Sequence, residues 1–394
     1  MRRALVLAAF AGAACNGTDA PVAAAPARDS AGVRIVESTA PAWGAKPLWR
    51  VAARPEVEVG GVAGDSARDF AGVRSAARFA DGRFVVADAA TDQIRLFDAK
   101  GAHLRTFGGH GTGERQFVAL GAVFLRADTI VAWDDRRQRI LGFLPDGRFL
   151  GNVRAMLPDT ARLGRPIGIF PSGAMLVSVP TPVDLALVSS PVLRVGSDLV
   201  RLADGARSVA SVQSDEIVVR RGKGTVSAMM RPFGLASRVA VVGDEFVVGE
   251  GERHSFRRHA EDGRLLAIFR RPGARLPLVP GDTAREHGLR VGAARSVRER
   301  ESIDGIWRSL PFPDSLPAHG EILADPTGGV WVRDIRHAGD GTSSYQVYAK
   351  DGTWLGAVPL PPRSTLLWVG TDAVLLRRLD GNDVEFVAVH RLSR

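Results

Sequence analysis

The sequence predicts an all-β fold built from repeated four-stranded units, because one short pattern recurs along the chain. Residues 84–88, 130–134, 246–250 and 330–334 are apolar runs that each end in an acidic residue. A glycine follows each run, at the same distance in the first three copies and five positions later in the fourth (Gly101, Gly147, Gly263 and Gly352). A fixed internal period is typical of repeat architectures.

Each copy also contains the turns and strands that a four-stranded unit needs. Pairs such as Asp81-Gly82 and Ser172-Gly173 stand before the apolar runs, and glycine accepts the positive φ of a tight hairpin turn. Alternating apolar residues follow each run, then the second glycine turn and a last strand. Short strands joined by glycine turns at this spacing predict the blades of a β-propeller.

The two ends of the chain predict how the propeller closes. Residues 56–61 resemble the last strand of a blade, yet no earlier strands of that blade precede them. Residues 373–376 and 384–390 read as strands that lack a final partner before Arg394. We therefore expect residues 56–59 to pair with residues 384–389, which removes an exposed sheet edge. This gives a six-bladed β-propeller closed by an N-terminal strand, with blades near 71–108, 118–154, 167–210, 233–270, 318–360, and 366–392 with 54–61.

One segment interrupts the repeat and predicts a helical insertion. Residues 277–317 include Thr283–His287 and a stretch from Ala293 to Trp307 with the Arg/Glu and apolar spacing of a helix, and prolines end it at Pro311 and Pro313. Long insertions outside the repeat often serve recognition. Trp307 is therefore a candidate partner-binding aromatic, with a passive flap over the propeller as the alternative.

The first 15 residues have the pattern of a lipoprotein-type signal peptide. Arg2 and Arg3 precede a short apolar run, and small residues lead to Cys15, the only cysteine. The pattern resembles a lipobox, except that Gly12 stands where leucine is usual. Cys15 is thus the expected lipidation site, with an ordinary secretory signal cleaved near Ala13 or Ala14 as the alternative. Residues 16–48 are expected to form a tether and lead-in strand, and residues 49–394 the propeller.

Composition is that of a globular protein with a basic surface. The chain is 45% hydrophobic and 24% charged, and its formal net charge is +9. The basic residues are almost all arginine, spread along the sequence without the clustered blocks and interleaved aromatics that nucleic-acid binding favours. We expect no nucleic-acid partner. A lone cysteine in the leader also leaves the mature chain without an internal disulfide.

The repeats resemble a known type. Residues 82–88, 93–98, Gly101 and residues 107–108 together look like an NHL-type repeat, and the whole chain resembles the bacterial six-bladed β-propeller lipoproteins. The likeness covers residues 49–392 and is most specific in the first two blades. It implies a propeller on the cell envelope, and it supplies no catalytic motif to transfer. Related six-bladed enzymes hydrolyse lactones or phosphoesters with a central metal ion.

The recurring acidic residues suggest one candidate metal site. Asp88, Asp134, Glu250 and Asp334 hold equivalent positions and would converge toward one face of a ring, where several carboxylates could bind Ca²⁺. The alternative is that each carboxylate caps its own turn through backbone N–H groups. Recurrence at the same repeat position favours the alternative, so no cofactor is expected unless Ca²⁺ binds there.

No other motif predicts catalysis. The eight histidines make no His-x-x-x-His arrangement, and the glycine-rich loop at residues 108–115 lacks the Gly-Lys-Ser/Thr of a phosphate-binding loop. His254 and His259 share one hairpin and are more typical of packing than of acid–base chemistry. Inter-blade loops around His110 and His337 are, like Trp307, candidate partner-binding surfaces.

These observations predict a lipid-anchored envelope protein, on the periplasmic or outer-surface side, that binds a protein or glycan partner without catalysis. The alternative is a metal-assisted hydrolase of the lactonase or phosphoesterase kind with carboxylates at the channel mouth. A hydrolase of that kind needs at least three oxygen ligands around one point in a concave pocket.

Overall fold

The computed structural model describes residues 26–61, 64–65, 67–157, 163–222, 224–339 and 341–394. The described chain is nearly all β-structure, with two helices. The predicted signal peptide, Cys15 and most of the predicted tether lie outside the described residues.

Strands β1–β12 make up the first third of the structure. Four strands come before the first sheet: β1 (Ala27–Ser30), β2 (Val33–Glu37), β3 (Arg50–Val51) and β4 (Val57–Gly60). The first sheet contains β5 (Val73–Arg78), β6 (Phe84–Asp88), β7 (Gln93–Phe97) and β8 (His103–Gly108). The second contains β9 (Leu120–Arg126), β10 (Thr129–Asp134), β11 (Arg139–Phe143) and β12 (Phe149–Arg154).

The remaining strands and both helices follow in the same order. The third sheet contains β13 (Arg165–Ile169), β14 (Met175–Pro180), β15 (Val192–Leu202), β16 (Ala206–Gly222) and β17 (Thr225–Met230). The fourth contains β18 (Arg238–Val242), β19 (Glu245–Gly249), β20 (Ser255–Ala260) and β21 (Leu265–Arg270). Helices α1 (Pro280–Gly292) and α2 (Val297–Trp307) precede the fifth sheet, β22 (His319–Ala324), β23 (Val330–Asp334), β24 (Ser344–Tyr348) and β25 (Trp354–Pro359). The sixth contains β26 (Ser364–Val369), β27 (Ala373–Leu379) and β28 (Glu385–Ser393).

Strands within each of these units are antiparallel and follow one another along the chain. The apolar runs that define the repeat are the second strands, β6, β10, β19 and β23, as the sequence pattern predicts. Gly82 has φ +90° in the turn between β5 and β6, and Gly147 has φ +100° between β11 and β12. These are conformations that other residues adopt only with strain.

The hydrophobic core lies between neighbouring sheets. One cluster joins Val85 of the first sheet to Ile130 of the second, and another joins Trp331 of the fifth to Leu376 of the sixth. Similar clusters link the second sheet to the third, the third to the fourth and the fourth to the fifth. The first strand of each sheet contacts the first strand of the next. Antiparallel four-stranded sheets that pack face to face in this way form a β-propeller.

The N-terminal strand β4 and the last strand of the chain, β28, meet in the sixth sheet. Strand β4 is antiparallel to β28, with Val59 opposite Val387 and Val57 opposite Val389. The side chain of Val59 is buried in a cluster that includes Phe97 of the first sheet and Val387 of the sixth. Residues 57–60 thus pair with residues 386–389, as expected for residues 56–59 from the sequence.

The N-terminal segment, predicted as a tether and lead-in strand, pairs with strands of two different sheets. Strands β1 and β2 extend the fourth sheet, because β2 runs parallel to β21 with Ile35 opposite Ile268. Trp43 then packs in the core of the fifth and sixth sheets, and β3 pairs with the end of β28. Residues 27–51 thus cross three sheets. This placement could not be predicted from the sequence, because no turn connects β2 with its parallel neighbour β21.

The third sheet differs from the predicted blade at 167–210. It extends to residue 230, because β15 and β16 are long and β16 continues beyond the expected edge to pair with β17. The Asp204-Gly205 turn connects β15 with β16. In this sheet Ser178 stands where the other copies have an acidic residue. The repeat pattern that predicted the other blades was therefore weakest here.

Because Val59 of β4 is buried, a charged residue at this position should destabilise the folded protein. Replacing Val59, which is 3% exposed, with aspartate should lower the free energy of unfolding by about 3 kcal/mol or more, because an unpaired charge would be buried between the first and sixth sheets. The matched change Val153→Asp, on an outer strand where the valine is 68% exposed, should cost about 0.5 kcal/mol or less. Urea denaturation measures both. Equal effects of the two substitutions would contradict the burial of β4.

Candidate functional site

A cavity of about 860 Å³ opens at one end of the sheets. Its walls come from the loop between the third and fourth sheets (residues 230–238), helix α1, the loop after β23 (residues 335–343) and the sixth sheet. Apolar side chains, among them Phe233, Leu235, Leu316 and Ile335, line it together with charged ones. A concave site of this size with mixed lining is typical of ligand binding.

Helix α1 forms one wall and is fixed to the fifth sheet by one carboxylate. Asp282, in the first turn, is 4% exposed. It accepts hydrogen bonds from the backbone N–H of Ala338 (2.7 Å) and from Nδ1 of His337 (2.9 Å). Burial raises the pKa of Asp282, but these hydrogen bonds outweigh it and hold the pKa below its usual value. Asp282 therefore ties the insertion to the loop after β23.

Arginine is the dominant charged residue of the cavity. Among the described lining residues there are eight arginines and six carboxylates. Five of the arginines have a carboxylate partner: Arg231 with Glu216 (2.8 Å), Arg290 with Glu286 (2.8 Å), Arg333 with Glu321 (3.3 Å), Arg377 with Glu385 (3.3 Å), and Arg363 with Asp383. The other three, Arg238, Arg285 and Arg336, are exposed and have no carboxylate within ion-pair distance in the described part of the chain.

The predicted carboxylates Asp88 and Asp134 serve their own hairpins. Asp88 is fully buried, lies 3.2 Å from the guanidinium of Arg95 on β7, and accepts the N–H of Ala90 (3.1 Å). Asp134 is equally buried. It accepts the N–H of Val118, which precedes β9 (3.1 Å), and the N–H of Arg137 in the turn after β10 (3.1 Å), and it lies 3.5 Å from Arg139 on β11. Asp88 and Asp134 thus each close a turn and pair with an arginine of the next strand.

The other two carboxylates differ from these in their contacts. Glu250 pairs with Arg257 on β20 (2.6 Å). Asp334 accepts hydrogen bonds from Ser344 and Gln346 on β24, both at 2.8 Å, and its arginine partner is Arg271, which follows β21 (3.7 Å). Within the described ranges no three His, Cys, Asp or Glu residues are grouped to hold a metal ion, so the structure does not bring the four together. Only Asp334 lines the cavity, and the four residues do not fit a shared Ca²⁺ site.

The candidate partner-binding residues are separated. His337 lines the cavity, where its ring is hydrogen-bonded to Asp282. His110 lies in the loop between the first and second sheets, is largely exposed, and contacts Asp92 (2.8 Å). Trp307, at the end of α2, packs against His287 of α1 (5.1 Å between ring centroids) and Phe312 (5.0 Å). Trp307 is half-buried and holds the two helices together without lining the cavity.

The sequence did not indicate Arg238, Arg285 and Arg336. They come from the start of β18, from α1 and from the loop after β23, three segments far apart in the chain. In a sequence whose basic residues are nearly all arginine, no local signal separates these three from the rest. Only the fold identifies them as neighbours of one cavity.

Two histidines are buried, His254 in the loop between β19 and β20 and His319 at the start of β22. Burial lowers the pKa of His254 to about 4, and the positive charges of Arg271 and His319 add to the effect. His319 is 3% exposed, and burial lowers its pKa as well. Its Nε2 contacts the backbone oxygen of Glu250 (2.9 Å). By contrast, His259 stacks on Phe246 with ring centroids 4.9 Å apart. These contacts are those of packing residues.

The chain matches no protein-family model. It matches no curated protein either. Among solved structures it is similar to a Bacteroides fragilis protein described as exported (11% identity, 91% of this chain and 100% of that chain, TM-score 0.48). It is also similar to virginiamycin B lyase from Staphylococcus aureus (10%, 88% and 99%, TM-score 0.42) and to a gluconolactonase from Xanthomonas campestris (13%, 88% and 99%, TM-score 0.41). No helix in the described ranges is long and apolar enough to span a membrane.

The low pKa of His254 makes stability depend on pH. In the unfolded chain His254 binds a proton as the pH falls through its ordinary pKa of 6.5. In the folded chain the same side chain stays neutral until about pH 4. Acidification between these values therefore favours unfolding, by up to about 3 kcal/mol. His254→Gln should flatten the decline of the urea midpoint between pH 7 and about pH 4.5. A variant that loses stability as steeply as the wild type would contradict this assignment.

Proposed function

We propose that the protein is an envelope-tethered, six-bladed β-propeller that binds a segment of a protein or glycan partner in the cavity under its helical insertion, without catalysis. The observation that carries the proposal is the cavity itself. Its volume, its mixed apolar and polar lining and its loop-built walls are those of a binding site.

The six sheets and their contacts support the blade count and the closure. Each of the six core clusters joins two neighbouring sheets, and the cluster around Val59 joins the sixth sheet to the first. The first strands β26 and β5 are also in contact. With β4 as the outer strand of the sixth blade, the ring has no open seam between its ends.

The insertion supports recognition in preference to a passive flap. Asp282 holds α1 against the loop after β23, and Trp307 holds α2 against α1, so the insertion is braced over one side of the cavity. Leu289 of α1 is 60% exposed and lines the opening. An exposed apolar side chain on a braced helix at the mouth of a cavity is suited to contact a partner.

The envelope location rests on the sequence alone. An apolar leader, a lone Cys15 and a Pro/Ala-rich stretch after it support a lipid anchor that places the propeller at a membrane surface. The metal-assisted hydrolase stays an alternative predicted from the sequence. No described cluster of carboxylates favours it, and metal analysis of the purified protein with lactone and phosphoester substrates tests it directly.

Partner binding in the cavity predicts where a photo-crosslinker will react. A benzoylphenylalanine placed at Leu289 should crosslink to a partner in cell envelopes, because this side chain lies at the cavity mouth. The same group at Val297, which is 69% exposed on α2 outside the cavity, should give little product. Ala338→Trp fills the cavity from an exposed position and should suppress the product at residue 289. Equal crosslinking at the two positions, or none at either, would contradict the proposal.

The anchor makes a separate prediction. Cys15→Ser should release the protein from membranes or block its processing, because the thiol that would carry the acyl chains is absent. Membrane fractionation and the mass of the mature N-terminal peptide measure this. A wild-type peptide without lipid mass would refute the anchor and leave the cavity proposal untouched.

A further inference from the structure

We infer that the cavity recognises an acidic peptide segment, whose carboxylates pair with Arg238, Arg285 and Arg336 while neighbouring apolar side chains occupy the apolar part of the lining. The inference rests on the proposed function and names the chemistry of the ligand.

Unpaired positive charge is the first observation. Five of the eight cavity arginines are neutralised by a carboxylate, but Arg238, Arg285 and Arg336 are not, among the residues the structure describes. Nη2 of Arg336 donates to Oγ of Ser344 (2.9 Å), and that hydroxyl donates to Asp334, so this guanidinium is positioned but not neutralised. A guanidinium retains several N–H donors and is suited to bidentate pairing with a carboxylate.

The three arginines also surround the cavity. Arg238 begins the first strand of the fourth sheet, Arg285 lies on α1, and Arg336 follows β23. A ligand between them would meet a guanidinium from each of three walls. One carboxylate, Asp215, also lacks a basic partner in the described lining, where its contact is with Ser214 Oγ (3.0 Å). Asp282 is paired, among the residues described, only with His337, which is charged only when protonated. Three unpaired arginines exceed Asp215 alone, and they also exceed Asp215 and Asp282 together, so the excess charge is positive in either case.

The apolar lining favours a peptide over an acidic glycan. Phe233, Leu235, Leu289, Leu316 and Ile335 provide surface for apolar side chains. The described lining contains no tryptophan, tyrosine, asparagine or glutamine. Sugar rings are bound by aromatic platforms and by amide groups that read hydroxyls, whereas acidic motifs in peptides are bound by clusters of arginine. The volume accommodates several residues of an extended segment.

A random dodecamer library selected on the full chain tests the inference. Peptides retained by the wild type but not by Ala338→Trp should be rich in Asp and Glu next to apolar residues. Their affinity should fall about tenfold or more in the triple variant R238Q/R285Q/R336Q, because charge-assisted pairs are lost. It should rise in Asp215→Asn. The control R105Q/R264Q/R298Q removes the same charge from exposed positions outside the cavity and should leave affinity unchanged. Melting curves confirm that each variant is folded.

The outcomes separate the inference from the proposed function. Cavity-dependent peptides without an acidic excess, or with affinity insensitive to the triple variant, would overturn the inference and leave the binding function standing. Oligogalacturonate is titrated in parallel. Binding of this acidic sugar alone, lost in the triple variant, would overturn the peptide assignment in favour of an acidic glycan. Failure of every probe to distinguish the wild type from Ala338→Trp would overturn both.

Discussion

The structure depends on one long-range pairing, that of β4 with β28. It joins residues more than 300 positions apart, since Val59 lies opposite Val387 and Val57 opposite Val389. Neighbouring strands add contacts of similar span, namely an ion pair from Glu58 of β4 to Arg378 of β27 and a hydrogen bond from the Val73 N–H of β5 to Glu385 of β28. The hydrogen bonds of one strand alone would add little to the free energy of unfolding. Because β4 also buries Val59 between the first and sixth sheets, it links the start of the blade series to its end. If this contact closes the ring, as we propose, neither a sheet edge nor a core face is exposed to water where the first and sixth sheets meet.

A second arrangement occurs in the first two blades. An acidic residue ends the second strand and accepts N–H groups of the following turn, and an arginine on the third strand faces it, as Asp88 faces Arg95 and Asp134 faces Arg139. Burying a carboxylate without partners is costly, so the arginine and the turn N–H groups are needed together. In these two blades the recurrence of the carboxylate therefore has a structural cause.

The sequence predicted the repeat well and the site poorly. The sequence predicted the second strands of the repeat, because apolar runs, acidic ends and glycine turns are local signals. These strands are β6, β10, β19 and β23. The pairing of β4 with β28 could be predicted because the predicted strands at both ends of the chain lacked a partner strand. A lead-in strand was expected within residues 16–48, but the pairing of β2 with β21 could not be predicted, because it depends on burial of Val36 in a cluster with Phe269. Arg238, Arg285 and Arg336 could not be predicted, because their proximity is created by the fold.

Hydrogen exchange of the native protein tests the central claim most directly. If β4 closes the ring, the backbone amides of residues 57–60 and 385–393 should exchange only through global unfolding. Their free energy of opening should then match that of the buried strands β6 and β10 and show the same dependence on denaturant. Exchange of the β4 amides at a much lower free energy, while the other blades stay protected, would show a seam that opens independently and would contradict the account.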